Sequence, residues 1–548
     1  MDSVHYTCFT SLSAVRVVTM KWPILLNVML AIGSWAAVVE HTFHLNWTEA
    51  SPDGHSRPVI GVNGTWPPPT IHLTKGDRLV LHVYNDLPSQ ETSIHFHGLL
   101  QKDTNYMDGA GKVTQCPLPP GHKMTYDFVV NQAGTFWYHS HMTAQYPDGL
   151  RAPIIVHDPE FPYHYDQEMV LTLSDWYHDT SDYLLRSYLF SPQRNPKGAS
   201  PVPNSILLND TLSSNITVIP DTTYLIHLIN IGAGSAQYFY IDGHKFDIVE
   251  VDGVYTDRAS AQCLYLHVGQ RYSILLHTRT SSESNFAIVN VPDFRAFKGP
   301  RPQSLEQYQQ ANWLQYDPQG QAKLNAVSMV QAASEYDAIY FDDFNLVPFD
   351  KRPLLSSPNV HIEITVTLGF QHGVRRVFIN NVTYEPPEYP TLYKVIEAAD
   401  PWDLSMHSNN SSYVVLNYGD VVQLVVYNDD GTSHPFHLHG HELQLVSRSP
   451  EFDRLARLDG NSAQFPQIPM RRDTVRVHPY GHMVARFRAD NPGVWLFHCH
   501  MDWHFAQGLA MTFIEAPDRI QQLQIPPDHS RLCSLPRSSI SGAVISIT

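Results

Sequence analysis

Apolar residues along this chain recur with a period of two rather than between three and four. Short alternating runs such as Arg78 to Tyr84, Thr223 to Ile229, Tyr272 to His277, Val421 to Tyr427 and Met483 to Phe487 are bounded by Gly, Pro, Asn and Asp. Alternation places every second side chain on one face of an extended segment, so each run predicts a half-buried β-strand closed by turns. Helical periodicity is confined to Ser181 to Phe190 and Trp503 to Leu509. Many short strands with turn signals predict an all-β chain of stacked sandwiches. A faint internal repeat sets their number. Gly76 to Leu87 (GDRLVLHVYNDL) echoes Gly419 to Asp430 (GDVVQLVVYNDD), and Pro220 to Asn230 (PDTTYLIHLIN) has a similar shape. Each precedes a His-rich loop or its degenerate counterpart, which predicts three sandwiches of one type. The expected division is 40–159, 160–315 and 316–520, with a tail over 521–548.

Length agrees, since 548 residues at roughly 150 per domain give three or four domains. Hydrophobic residues at 43% and charged residues at 16% describe a globular chain able to bury a core. A net charge of −17 repels phosphate backbones and argues against nucleic-acid binding. Histidine is the outlier: 31 residues against five cysteines, a surplus of imidazole that points to metal.

The first residues, 1–39, read as a leader. Met20 and Lys21 precede an apolar stretch from Ile24 to Val39 that closes in small residues at Ser34, Ala36 and Ala37, the layout of a secretory signal peptide. Seven N-x-S/T sequons follow, at Asn46, Asn63, Asn209, Asn215, Asn381, Asn409 and Asn410, as in a secreted glycoprotein. No later apolar run reaches membrane-spanning length. The expectation is an extracellular or cell-wall monomer without an anchor. Cys8 leaves with the leader; Cys116 and Cys533 are the favoured disulfide pair, with Cys263 a buried thiol. Sequence alone leaves that connectivity open.

Four motifs carry the chemistry: HFHG at His95 to Gly98, WYHSH at Trp137 to His141, HPFHLHGH at His434 to His441, and HCHMDWH at His498 to His504. On a strand, residues i and i+2 share a face at roughly 6.5–7 Å. Each H-x-H therefore presents two imidazoles to one side, and four such pairs facing each other would hold several metal ions. A lone pair of this kind is usually structural; four pairs near the two ends of the chain are not. In HCH, Cys499 points away from His498 and His500. A thiolate with two imidazoles, His434 and His504 being the available partners, is the ligand set of a blue-copper site. Zinc would want more thiolates or an open His set.

This constellation closely resembles the multicopper oxidases, with motifs in both terminal sandwiches. The resemblance implies cupredoxin-like Greek-key sandwiches and four copper ions. It implies a type 1 copper on His434, Cys499 and His504, and a type 2 copper on His95 and His437. The type 3 pair would then take His97, His139, His141, His439, His498 and His500. It further implies carboxylates beside the oxygen-reducing cluster, matched by Asp108 in YMDG and Asp502 in HCHMDWH, and an acid near the type 1 copper, matched by Asp430. Taken alone, Asp108 before Gly109 reads as a turn-former. Leu509 stands where the family places its axial residue and cannot coordinate, which raises the potential of the type 1 site.

Within the family, LSDWYHD at Leu173 to Asp179, IPMRRDT at Ile468 to Thr474 and NPGVWLFHCH at Asn491 to His500 resemble the fungal iron-uptake ferroxidases. Two departures weigh against iron: the membrane anchor of those proteins is missing, and Ser200 stands where they carry a glutamate for Fe(II). The expectation is therefore a laccase-like oxidase that couples phenolic or aromatic substrates with O2 in pigment or secondary-metabolite formation. A soluble ferroxidase using Asp175, Asp179 or Asp342–Asp343 is the alternative, and copper storage a third reading.

Overall fold

Every one of these alternating runs is a strand in the computed structural model, which describes residues 36–280, 284–297, 308, 312–317, 340–403, 412–453 and 465–535. Residues 1–35 of the leader with Cys8, the sequons Asn409 and Asn410, and the last segment 536–548 lie outside the described residues. The strands form six sheets in three successive pairs. Strands between Val38 and His157 build two four-stranded sheets, those between Gln167 and Gln315 a six- and a five-stranded sheet, and those between Val360 and Glu515 another six and five. In each pair the opening strand runs parallel to a later one: Val38–Ala50 with Arg78–Asn85, Gln167–Trp176 with Thr223–Asn230, and Val360–Gln371 with Val421–Asn428. Each second sheet adds one further parallel pair, Ile71–Thr74 with Arg151–His157, Asn215–Thr217 with Asn312–Gln315 and Tyr413–Leu416 with Ala510–Glu515, and antiparallel pairing of the rest makes these Greek-key sandwiches.

Alternation does what the pattern predicts. In Arg78–Asn85 the side chains of Leu79, Leu81 and Val83 are buried while Arg78 faces out. Each buried aliphatic contributes about 1.5–3 kcal/mol relative to exposure. Val421–Asn428 is covered on both faces instead, which explains why apolar residues fill both sides of it, Gln423 apart.

The internal repeat is a repeat of hydrogen bonding. Asn85, Asn230 and Asn428 each close their strand. Each side-chain oxygen accepts the N–H two residues on, from Leu87, Gly232 and Asp430. Each amide nitrogen donates to two carbonyls of neighbouring loops: Gln90 and Leu118, Ser235 and Leu266, Thr432 and His478. The three asparagines thus pin the loop that leads, in the first and third sandwiches, into a histidine strand.

The Ser181 to Phe190 segment is an α-turn, Ser181–Leu184, that widens into a π-turn, Leu185–Leu189. The second expected helix is shorter than its periodicity and runs over Asp502–Ala506; Gly508 at φ +101° turns the chain before Leu509. Cys116 is bonded to Cys533 across 417 residues, fastening the helix Pro527–Leu532 to the first sandwich. His529 Nε2 reinforces the seam at 2.7 Å from the Thr125 carbonyl. Cys263 is a buried thiol, its pKa pushed up to about 12 by desolvation. Cys533→Ser is expected to weaken the seam by about 2–4 kcal/mol, read as faster tryptic cleavage at Arg531.

Candidate metal centre

Two strand pairs deliver the histidines. Ile94–His97 lies against Gly134–Ser140 with His95 opposite His139, and His434–Leu438 lies against Gly493–Cys499 with His437 opposite His498. His141, His439 and His500 follow directly at the strand ends. The two pairs face each other across the first and third sandwiches, and their rings converge in four buried triads. These are His95–His97–His437, His97–His139–His500, His141–His439–His498 and, apart from them, His434–Cys499–His504; within each triad the ligand atoms lie within 4.8 Å of one another.

Hydrogen bonding fixes which ring nitrogen is free. A carbonyl can only accept, so the Nδ1 atoms of His95, His139, His437 and His498 donate to the carbonyls of Asp108 (2.7 Å), Ser140 (2.9 Å), Asp473 (3.0 Å) and Cys499 (3.0 Å). His439 Nδ1 donates likewise to Asp108 Oδ2 at 2.9 Å. The opposite nitrogens then carry lone pairs. His95, His139 and His437 leave theirs buried without a partner. His439 Nε2 and His498 Nε2 point at each other at 3.2 Å with no proton between them. Opposed lone pairs at that distance repel unless a cation lies between, so the donor set fits bound metal.

Protonation is suppressed as ligation requires. Burial, followed by the neighbouring imidazoles, pushes His139, His141, His439 and His500 well below their ordinary pKa. His97 and His498 shift the same way, also by burial first. In the fourth triad Cys499 Sγ is 3.6 Å from His434 Nδ1 and 3.8 Å from His504 Nδ1. Burial lowers His504 to about 3 and raises the Cys499 thiol. Only an adjacent cation turns that thiol into a thiolate. Leu509 is fully buried, and its carbonyl accepts the Cys499 N–H at 3.1 Å.

The expected acids lie where they can act. Asp108 is the turn-former its sequence suggests, for Gly109 at φ +84° would put a Cβ 1.7 Å from the Ile94 oxygen. It also reaches both sides of the cluster, orienting His95 and His439. Asp502 lines a cavity of about 10 Å³ with His139, His141, His498 and His500. Burial, with Asp148 and Asp175 nearby, raises its carboxyl to about 8. Asp430 Oδ2 is 3.3 Å from His434 Nε2. Burial alone would raise Asp430; the His434 and His504 rings overcome it and hold the group ionised.

Sequence reasoning passed over Asp473. Its carboxylate is 3.1 Å from His97 Nε2 and is gripped by both Nη atoms of Arg271, from the second sandwich, at 2.8 and 2.7 Å. Against the burial that would raise it, Arg271 and His97 hold it well below the usual carboxylate range. The signal was present in IPMRRDT, a string read only for its likeness to relatives. Asp473→Ala removes the bidentate partner of buried Arg271, leaving it Asp252 at 3.5 Å, and is expected to cost about 3 kcal/mol. The thermal midpoint and copper content should both fall, and Asp473→Asn should recover part of each.

Multicopper oxidase family models match residues 44–160, 167–319 and 384–519. The chain belongs to the multicopper oxidase family. As such it is a copper oxidoreductase with O2 as acceptor, binding four coppers: one type 1, one type 2 and a type 3 pair. It is 46% identical over 506 residues to the iron transport multicopper oxidase fetC of Epichloe festucae, covering 91% of this chain and 80% of that protein. Identity to the iron transport multicopper oxidase FET3 of Saccharomyces cerevisiae is 38% over 517 residues, covering 91% and 79%. The crystal structure of Fet3p, a multicopper oxidase that functions in iron import, superposes with a TM-score of 0.85 at 37% identity, covering 91% of this chain and 94% of that one. A laccase from Botrytis aclada gives 0.80 at 27%, covering 91% of each.

These likenesses overturn the expectation of a phenol-coupling laccase in pigment formation. The physical reason lies in what that expectation used. Leu509 is packed beside Cys499, away from any donor, and a missing axial ligand sets how strongly electrons are drawn, not from what. No helix among the described residues is long and apolar enough to cross a membrane.

Proposed function

We propose that this multicopper oxidase oxidises iron(II). The observation that carries the reading is its identity, over nine-tenths of its length, to iron transport multicopper oxidases. In this reading His434, Cys499 and His504 hold the type 1 copper, and His95 and His437 the type 2. The triads His97–His139–His500 and His141–His439–His498 hold the type 3 pair. Bound there, the coppers take single electrons from iron(II) and pass them to O2, which leaves as water.

The chain's own groups do the rest. Asp430, ionised against the ring nitrogen of His434 that faces away from Cys499, marks where electrons arrive: an anionic oxygen attracts iron and favours its higher charge. Cys499 lies between His498 and His500 in sequence, so one covalent path joins the two clusters. Asp502, neutral and facing a cavity with room for about one water, supplies protons to the reduced oxygen. Of the other acids considered for iron, Asp175, Asp342 and Asp343 are otherwise engaged. Asp175 accepts the N–H groups of Ala233, Gly234 and Ser235. Asp342 and Asp343 are bound by Arg448, and Asp343 also by Arg472. Passage through the secretory pathway fits the exposed sequons Asn63, Asn209, Asn215 and Asn381.

Oxygen uptake by copper-loaded protein decides the matter. Iron(II) is expected to drive turnover well above phenols, and Asp430→Ala to raise KM for iron(II) by about tenfold. Turnover of phenols alone would overturn the reading.

A further inference from the structure

The chain carries a net charge of −17, yet the loop and edge strand tied to the His504 helix are cationic. The loop between Phe190 and Ser205 bears Arg194 and Lys197, both exposed, and its side chains at Ser200 and Asn204 are neutral. On the adjoining edge strand Val374–Ile379, half-buried Arg375 donates through Nη1 to the Lys197 carbonyl at 2.5 Å. Gly198 makes that seat possible: at φ +57° a Cβ there would fall 2.1 Å from the Arg375 Cβ. The same loop is stitched to the end of the helix that carries His504. Gln507 Nε2 donates to the Gly198 carbonyl at 3.1 Å, and Val377 N–H to the Gln507 carbonyl at 3.0 Å.

Arg375 is close enough for its charge to act on the His504 ring, after burial, His434 and the opposing Asp430. Its neighbours are balanced and it is not. Arg376 is faced by Glu385, and Arg186 by Asp182 at 2.7 Å. Among the described residues no carboxylate pairs with Arg194, Lys197 or Arg375. Asp430 keeps its negative charge at the inner end, against His434, while outside it these unpaired cations steer an anion inward. A guanidinium is the group best shaped to receive a carboxylate through two parallel hydrogen bonds.

We propose that the iron(II) reaching this site is held in an anionic carboxylate chelate, with Arg375 receiving a carboxylate of the chelator and Lys197 and Arg194 steering it in. This deepens the iron(II) reading and rests on it. The iron loses one electron and becomes iron(III) inside the same ligands. No bond between iron and protein forms or breaks. O2 is the final oxidant and takes up one proton for each electron. The chelator's anionic oxygens favour the higher charge, so the loop needs no ligand of its own at Ser200.

The test uses the copper-loaded full chain, with iron(II) citrate and aqueous iron(II) sulfate as donors and zinc(II) citrate as a redox-inert ligand for calorimetry. Iron(II) citrate should be the better donor, and its KM should rise with salt. Arg375→Glu should raise KM for iron(II) citrate about tenfold with little change in kcat, and weaken zinc(II) citrate binding in parallel. Arg375→Ser should fall between, and an unchanged blue absorbance shows both variants folded. Oxidation of neither form of iron would sink the iron reading and this proposal with it. Equal oxidation of both forms, indifferent to Arg375→Glu, would overturn the chelate alone and leave the iron reading standing.

Discussion

Copper-loaded Cys499→Ser protein is expected to be colourless and to oxidise iron(II) no faster than buffer, with three coppers bound in place of the family's four. Cys499 Sγ is buried within 4 Å of both His434 and His504, and a serine hydroxyl is too hard and too weakly acidic to replace a thiolate there. One sulfur-to-oxygen change in a sandwich core costs about 1–2 kcal/mol, so the chain still folds and the histidine triads still load. His95→Ala is the mirror experiment: the blue band stays and oxygen uptake stops. Visible absorbance, copper content and oxygen uptake separate the two. A Cys499→Ser protein that stayed blue would refute the assignment of the fourth triad.

Asp502→Asn is expected to slow turnover by about a hundredfold while leaving the blue band bleachable by iron(II). The block should fall on recovery of the colour in oxygen, because what is missing is a proton rather than an electron. The sign of the pH effect follows from burial. A carboxyl raised to about 8 is loaded below that pH and empty above it, so native turnover should decline as pH rises through about 8. The asparagine variant should show no such limb. Linkage runs the same way: between the ordinary 3.8 and the raised value the folded state holds more protons than the unfolded one, and stability drains as pH rises. A variant with an unaltered pH profile would remove Asp502 from the proton path.

What the sequence made legible is what is local. Alternation in Arg78 to Tyr84 is a property of neighbours, and so is H-x-H; both survive into the structure unchanged. Arg271 and Asp473 were invisible for the opposite reason. Two charged residues 202 positions apart look like solvated surface until folding buries them against each other and against His97. The second sandwich, lacking a histidine motif of its own, supplies the cation that holds a cluster carboxylate. The donor was misread because the neutral side chain of Ser200 was weighed against iron, and one side chain is silent about what feeds the site. That information lies in Arg375 and the loop around Gly198, where charge is set by contacts between distant segments.

Each oxygen-side triad mixes the two ends of the chain: His95 and His97 with His437, His97 and His139 with His500, His141 with His439 and His498. A ribosome-bound chain therefore owns no complete triad until the strand bearing His437 has been made, and not all three until His500 has emerged. Before His437 is made, the chain offers only the imidazoles of its first sandwich, at most two to a triad. Metal loading thus certifies completion. A product truncated before His498 lacks two of the three triads, so full copper content reports a complete third sandwich.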